Sequence, residues 1–241
     1  MMIVFIGHKE VFMKKRKFKI ILLICLCLCF AINYFNATRE VTILKTDKKI
    51  GDKISLIIEA DRFDEHTIWI DLNNNGKKDA GEKVKHFGIF ISGMLYDLSD
   101  SYIIKSKTIT IHGKIRGLYC SENELVSLDV SKAKSLESIE CAHNKLTELD
   151  VSKCKKLYSL YCYCNTIKQE AMRNLITSLP RHKGKGKGEF VMQCLDTDKY
   201  HIPEGNEYMS DSIKNAKDKN WRVWIAKNIH STRWRRGSTE L

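Results

Sequence analysis

Between Ile115 and Ile167 the chain repeats itself three times at an interval of twenty-one residues. Leu118, Ile139 and Leu160 form one column, and Cys120, Cys141 and Cys162 a second. Asn123, Asn144 and Asn165 form a third, and Leu125, Leu146 and Ile167 a fourth. The unit reads L-x-C-x-x-N-x-L-x-x-L-D-V-S-K-x-x-x-L-x-x, with L-D-V-S-K at Leu128–Lys132 and again at Leu149–Lys153. So short a period allows one strand and a tight return per coil. No single coil can bury its own apolar edge, so the coils must stack and draw stability from their neighbours.

Apolar and polar residues alternate through Leu136-Glu-Ser-Ile139-Glu-Cys141, the mark of a strand buried on one face. The leucine, isoleucine and cysteine columns are therefore expected to point inward. The asparagines follow each strand, where a buried amide can bond the backbone of adjacent coils. Asn123, Asn144 and Asn165 are thus expected to stack as a structural ladder. Three coils are about the minimum for stability, and both ends need covering. The expected fold is a short α/β leucine-rich-repeat solenoid of about three repeats, with a small N-terminal β-domain and a C-terminal α/β cap. The expected boundaries are 1–37 for an export segment, 38–113 for the β-domain, 114–167 for the repeats, 168–227 for the cap and 228–241 for a basic tail.

The repeats resemble those of the internalin-like leucine-rich-repeat proteins of the Bacteroidetes, and the resemblance runs from about Ile43 to Trp224. Ahead of the repeats, I-W-I-D-L-N-N-N-G at 68–76 and T-I-T-I-x-G at 108–113 are similar to segments of that family. Behind them, so are E-A-M-x-x-L, S-L-P, E-G-N and N-W-x-V, from Glu170, Ser178, Glu204 and Asn220 onward. The resemblance implies a secreted or surface-attached protein concerned with adhesion and protein recognition, without enzymatic activity, although a fold does not fix a function. Many relatives continue into a surface-sorting domain, whereas this sequence runs into a basic, tryptophan-containing segment, 228–241.

The N-terminus has the form of an export signal: a charged stretch, Lys14–Lys19, then an apolar run from Ile20 to Ile32, with Ala31 or Ala37 as a cleavage site. The run is short for a membrane span. Leu22-Leu-Ile-Cys25 lacks the small residue expected before a lipidated cysteine, and an uncleaved anchor reaching Phe35 is the alternative. Residues 1–37 hold six Lys/Arg and one acid, so the net charge of +12 falls to +7 without them. From Arg181 onward thirteen Lys/Arg stand against eight acids. Nine cysteines in an exported chain suggest disulfides. Yet Cys120, Cys141 and Cys162 occupy an inward column, where a thiol acts as a small hydrophobe, and Cys154 aligns with Ala133. No structural disulfide is expected, although Cys164 and Cys194 fall in no column.

Before the repeats, β-branched runs at Val41–Leu44, Ile54–Ile58, Thr67–Ile70 and Thr108–Gly113 predict strands. Asp71-Leu-Asn73-Asn-Asn75-Gly76-Lys77-Lys-Asp79-Ala-Gly-Glu82 matches a twelve-residue calcium loop. Calcium takes six to eight hard oxygens, which Asp71, Asn73, Asn75, Asp79, Glu82 and the Lys77 carbonyl offer, while Gly76 permits the turn. Strand-like flanks exclude an EF-hand, and few carboxylates beside two lysines imply weak, roughly 0.1 to 1 mM binding. An ordinary Asn/Gly turn without metal is the competing reading. Beyond the repeats, spacing predicts a helix over Gln169–Leu179, a strand over Glu189–Cys194, a helix over Ser210–Lys219 and a strand over Trp221–Ile225.

No G-x-S-x-G elbow, H-E-x-x-H helix or catalytic carboxylate pair is present, so an enzyme is not expected. The segment Arg181–Gly188 lacks the form of a phosphate-binding glycine loop. The face of the parallel strands should present Tyr119, Glu140, Tyr161 and Tyr163, and exposed tyrosines suit recognition of a protein or glycan. The expected function is therefore a non-enzymatic, exported, cell-surface binding module. The alternative is an envelope-associated protein held by an uncleaved anchor, binding polyanions through Lys183, Lys185, Lys187, Arg233, Arg235 and Arg236. No sequence-specific nucleic-acid recognition is expected, and membrane contact only through the N-terminal segment.

Overall fold

In the strand β1 (Val41–Thr46), alternation puts Thr42, Leu44 and Thr46 on one buried face. The same period in β2 (Lys53–Glu59) buries Ile54, Leu56 and Ile58. A computed structural model describes residues 39–91, 94–96, 100–183, 186–194, 205–226 and 239–241, and Glu40–Leu241 form one compact unit. Along it follow β3 (Trp69–Asp71), the hairpin β4 (Ile89–Ile91) and β5 (Met94–Tyr96), β6 (Asp100–Ile103), β7 (Thr108–His112) and β8 (Gly117–Tyr119). Next come β9 (Leu125–Asp129), β10 (Ser138–Glu140), β11 (Ser159–Tyr161) and helix α1 (Gln169–Ser178). Then β12 (Gly188–Cys194), helix α2 (Ser210–Asp218), β13 (Trp221–Ala226) and β14 (Thr239–Glu240) complete the order.

One sheet is antiparallel with the order β3-β7-β1-β9. The other is mixed and eight-stranded, in the order β14-β13-β12-β11-β10-β8-β2-β6. Its centre, β8 to β13, is parallel, while β2, β6 and β14 run antiparallel at its two ends. The twenty-one-residue period is met strand for strand: Leu118, Ile139 and Leu160 lie in register, and Phe190 and Val223 extend the same row. All five are fully buried in a core shared by both sheets.

This architecture corrects the expectation of an α/β solenoid between a separate β-domain and an α/β cap. The molecule is a β-rich, mixed fold of two sheets with two α-helices among the described residues. Two physical causes account for the difference. The returns of the repeats, closed by Ala133 N–H on Val130 O and Cys154 N–H on Val151 O, are turns too short to coil into helices. And β2 pairs directly with β8, Ile57 opposite Tyr119, so the sheet runs on into the N-terminal strands instead of ending at the first coil.

The asparagine column does form a ladder. Asn144 Oδ1 accepts the N–H groups of Asn123 (3.1 Å) and Leu125 (2.9 Å). Asn165 Oδ1 accepts that of Leu146 at 2.9 Å, while Asn165 Nδ2 donates to Cys141 O and Cys162 O. Asn123 closes one end on Ser55, accepting its N–H and donating to its carbonyl. The residue before each rung, Glu122, His143 or Cys164, is left-handed with φ of 60, 52 and 51°, which swings the chain away from the strand. The helix α1 buries Met172, Leu175 and Ile176 and stops ahead of Pro180. The Lys219 ammonium then donates to its terminal carbonyls at Ile176 and Thr177. Among the described residues no helix is long and apolar enough to cross a membrane.

Candidate ligand-binding face

Register on the parallel strands aligns Tyr119, Glu140, Tyr161, Val191 and Trp224 in one row on the face opposite the main core. At the usual strand spacing this row is about 19 Å long, about twice what three repeats alone supply. β12 and β13 add the last two members. Neither carries the repeat motif, so Val191 and Trp224 escape a reading of the period, as do the acids that flank the row.

The rings are half-buried, which corrects the expectation that they stand free in solvent. Tyr119 Oη donates to Glu59 Oε1 at 3.1 Å, and burial pushes its pKa far above the ordinary phenol value. Tyr163 meets His143 edge-on, with centroids 5.3 Å apart, and burial raises its pKa strongly as well. Tyr161, Tyr163 and Trp224 pack on a small second cluster of Cys164, Val191, Cys194 and Ala226. That cluster gives Cys164 and Cys194 the packing role their sequence positions did not reveal. The six described cysteines are buried.

Carboxyls punctuate the face. Burial among the aromatic strands pushes Glu140 up to about 7, with Ser121 opposing the shift and the like charge of Glu122 adding to it. Burial likewise raises Glu59, against the pull of Tyr119 and Arg116. At the far end Glu189 is held by Arg222 (3.1 Å) and by the Trp224 indole N–H (2.6 Å). The face thus offers flat apolar rings, ring hydroxyls and acceptor oxygens side by side.

The calcium-loop sequence folds into a self-bonded turn. Asp71 is buried and accepts the Asn75 and Gly76 N–H groups. Buried Glu82 accepts those of Leu72 (2.9 Å) and Asp79 (2.7 Å). Asn73 and Asn75 both donate to Asp79 Oδ2 at 2.7 Å, which lowers the Asp79 pKa. Asn73 Oδ1 and Asn75 Oδ1 in turn accept the Asn75 and Lys77 backbone N–H groups. Every side chain proposed as a ligand is present in one loop, and each already has at least one oxygen turned to an N–H donor. Among the described residues no group of three or more His, Cys, Asp or Glu side chains is assembled as a metal would need.

Of the basic residues read as a polyanion site, Lys183 and Lys187 are exposed. Lys185, Arg233, Arg235 and Arg236 lie outside the described residues, as does the N-terminal export segment. The chain matches no protein-family model, no curated protein and no solved structure.

Proposed function

We propose that this chain is a non-enzymatic recognition module, exported by its N-terminal segment, that binds a protein or glycan at the cell surface through Tyr119, Glu140, Tyr161, Tyr163 and Trp224. The alignment of Tyr119, Glu140, Tyr161, Val191 and Trp224 along five adjacent parallel strands, with Tyr163 two residues beyond Tyr161, carries the reading. Half-buried aromatic rings lose little conformational freedom on binding, and their hydroxyls and the neighbouring carboxyls supply directional hydrogen bonds. The acids Glu59, Glu140 and Glu189 favour a ligand rich in hydroxyl or cationic groups. The loop Asp71–Glu82 is proposed as a weak calcium site, since its donors are hard oxygens.

Partner capture by the full chain, read on glycan arrays and by pull-down from cell extracts, tests the module. Because Tyr163 packs on buried residues, hydroxyl-only and edge substitutions are the informative ones. Tyr161→Phe together with Glu140→Gln should cut capture at least tenfold while the thermal midpoint at pH 7 does not fall. Capture that survives this pair unchanged would remove the face from consideration.

A further inference from the structure

A groove of about 720 Å³ opens where the first two repeats meet α1. It is lined by β9, by the equivalent stretch of the next repeat at 147–150, and by Ala171, Asn174 and Ser178, which share one face of α1. The lining segments 126–129 and 171–178 each extend about 10 Å, at roughly 3.3 Å per strand residue and 1.5 Å per helical residue. That length holds about four residues of an extended chain.

Its charge runs against that of the chain. Lys and Arg outnumber Asp and Glu by 41 to 29 overall, yet this groove is lined by three carboxylates, Asp129, Glu148 and Asp150, and by no Lys or Arg. Lys132 and Lys153, next along the turns, are not part of the lining. Asp129 and Asp150 accept the Ser131 and Ser152 N–H groups, and a carboxylate with about four lone-pair sites keeps room for a further donor. The same groove carries apolar surface at Ala171 and at Val126, which is 39% exposed. A lysine or arginine side chain matches both, its aliphatic stem lying on the apolar surface and its charged head reaching a carboxylate.

The backbone narrows the occupant further. β9 is the last strand of its sheet, and past the bond from Lys145 N–H to Leu125 O the next coil does not continue the ladder. Among the described residues, the backbone N–H and C=O groups of 147–150 have no hydrogen-bond partner. Four consecutive residues with open backbone groups are a template onto which an extended chain adds as a strand. We infer that this groove binds an extended peptide segment with lysine or arginine at alternate positions. The peptide bonds backbone to backbone along 147–150 and sets its cations against Asp129, Glu148 and Asp150. The groove shares no residue with the tyrosine face and stands or falls independently of it.

The test titrates the full chain at near-physiological salt with a fluorescent peptide of alternating Lys and Val, the same peptide methylated at its backbone nitrogens, a peptide of alternating Glu and Val, and spermine. The Lys/Val peptide should bind at least tenfold more tightly than the other three. The variant D129N/E148Q/D150N, whose amide oxygens still accept the turn N–H groups, should bind it at least tenfold more weakly with a little-changed thermal midpoint. The variant T177W, which fills the groove from α1 and leaves every carboxylate in place, should lose binding as well. The variant D52N/D61N/E207Q, which removes the same charge elsewhere on the exposed surface, should bind as the parent does. Absence of Lys/Val binding, equal loss in the two charge variants, or parent affinity in D129N/E148Q/D150N overturns the inference. So does binding of spermine or of the methylated peptide as tight as that of the Lys/Val peptide, or a dimer of the chain that the groove variants dissolve.

Discussion

Asn206 Oδ1 accepts the backbone N–H of Ile167 at 3.0 Å, the bond that Asn165 makes to Leu146 one coil earlier. Asn206 also donates to Cys162 O and Met192 O, both at 2.8 Å. It is a fourth rung of the ladder, delivered by the segment ahead of α2.

Replacing this rung should be as damaging as replacing one inside the repeats. Asn206→Ala takes this partner from the buried Ile167 N–H and from Met192 O, while Cys162 O keeps Asn165, a loss of about 2 to 4 kcal/mol at roughly 1 to 3 kcal/mol per unsatisfied group, moderated by local relaxation. Urea denaturation of Asn206→Ala and Asn165→Ala should give losses of similar size. A loss below about 0.5 kcal/mol for Asn206→Ala would show that the rung is dispensable.

The neighbouring glycine is held by close approach. A Cβ on Gly205 would lie 2.2 Å from the carbonyl oxygen of Asn165, a backbone atom that the ladder keeps in place. Gly205→Ala should therefore cost about 1 to 3 kcal/mol, the usual range for overpacking. Gly186→Ala, where nothing lies within 4 Å, is the matched control. Thermal midpoints of the two variants decide, and equal midpoints would rule out the clash.

Glu140 should give the fold a distinct pH dependence. Its folded pKa, about 7, lies above the ordinary value of 4.5, so between these limits the folded chain holds a proton that the unfolded chain releases. The associated stability is full below pH 4.5, declines as pH rises toward 7 and stays lost above it. At about 1.4 kcal/mol per pKa unit, and allowing for partial exposure, the decline is about 1 to 3 kcal/mol. Glu140→Gln should abolish this component and be the more stable protein at pH 8. Denaturation series from pH 4 to 8 with identical slopes in the two proteins would contradict the assignment.

For the loop Asp71–Glu82, the metal-free bonds and the ion make separable predictions. Glu82→Ala removes the buried acceptor for Leu72 and Asp79, and should destabilise by about 2 kcal/mol or more with or without calcium. Calcium at 5 mM, against a dissociation constant of about 0.5 mM, should add about 1.4 kcal/mol to the parent. Asp79→Asn should lose that increment. An unshifted melting curve in calcium retires the ion but leaves the Glu82 result standing.

The sequence by itself determined the strands β1, β2, β3, β7, β8, β10, β11, β12 and β13, the two helices, the inward columns and the in-register stack from Leu118 to Leu160. Each of these is set by a local period of 2, 3.6 or twenty-one residues, and burial enforces such periods wherever they occur. Only the tertiary structure decided that β2 joins β8, that β12 and β13 continue the row of the repeats, and that Asn206 supplies a rung forty-one residues after Asn165. The same is true of Tyr161 and Tyr163 settling onto Val191 and Cys194. These pairings join segments separated by irregular lengths of chain. No local spacing encodes them, because they depend on which remaining edges and apolar faces can close over one another once the core has formed.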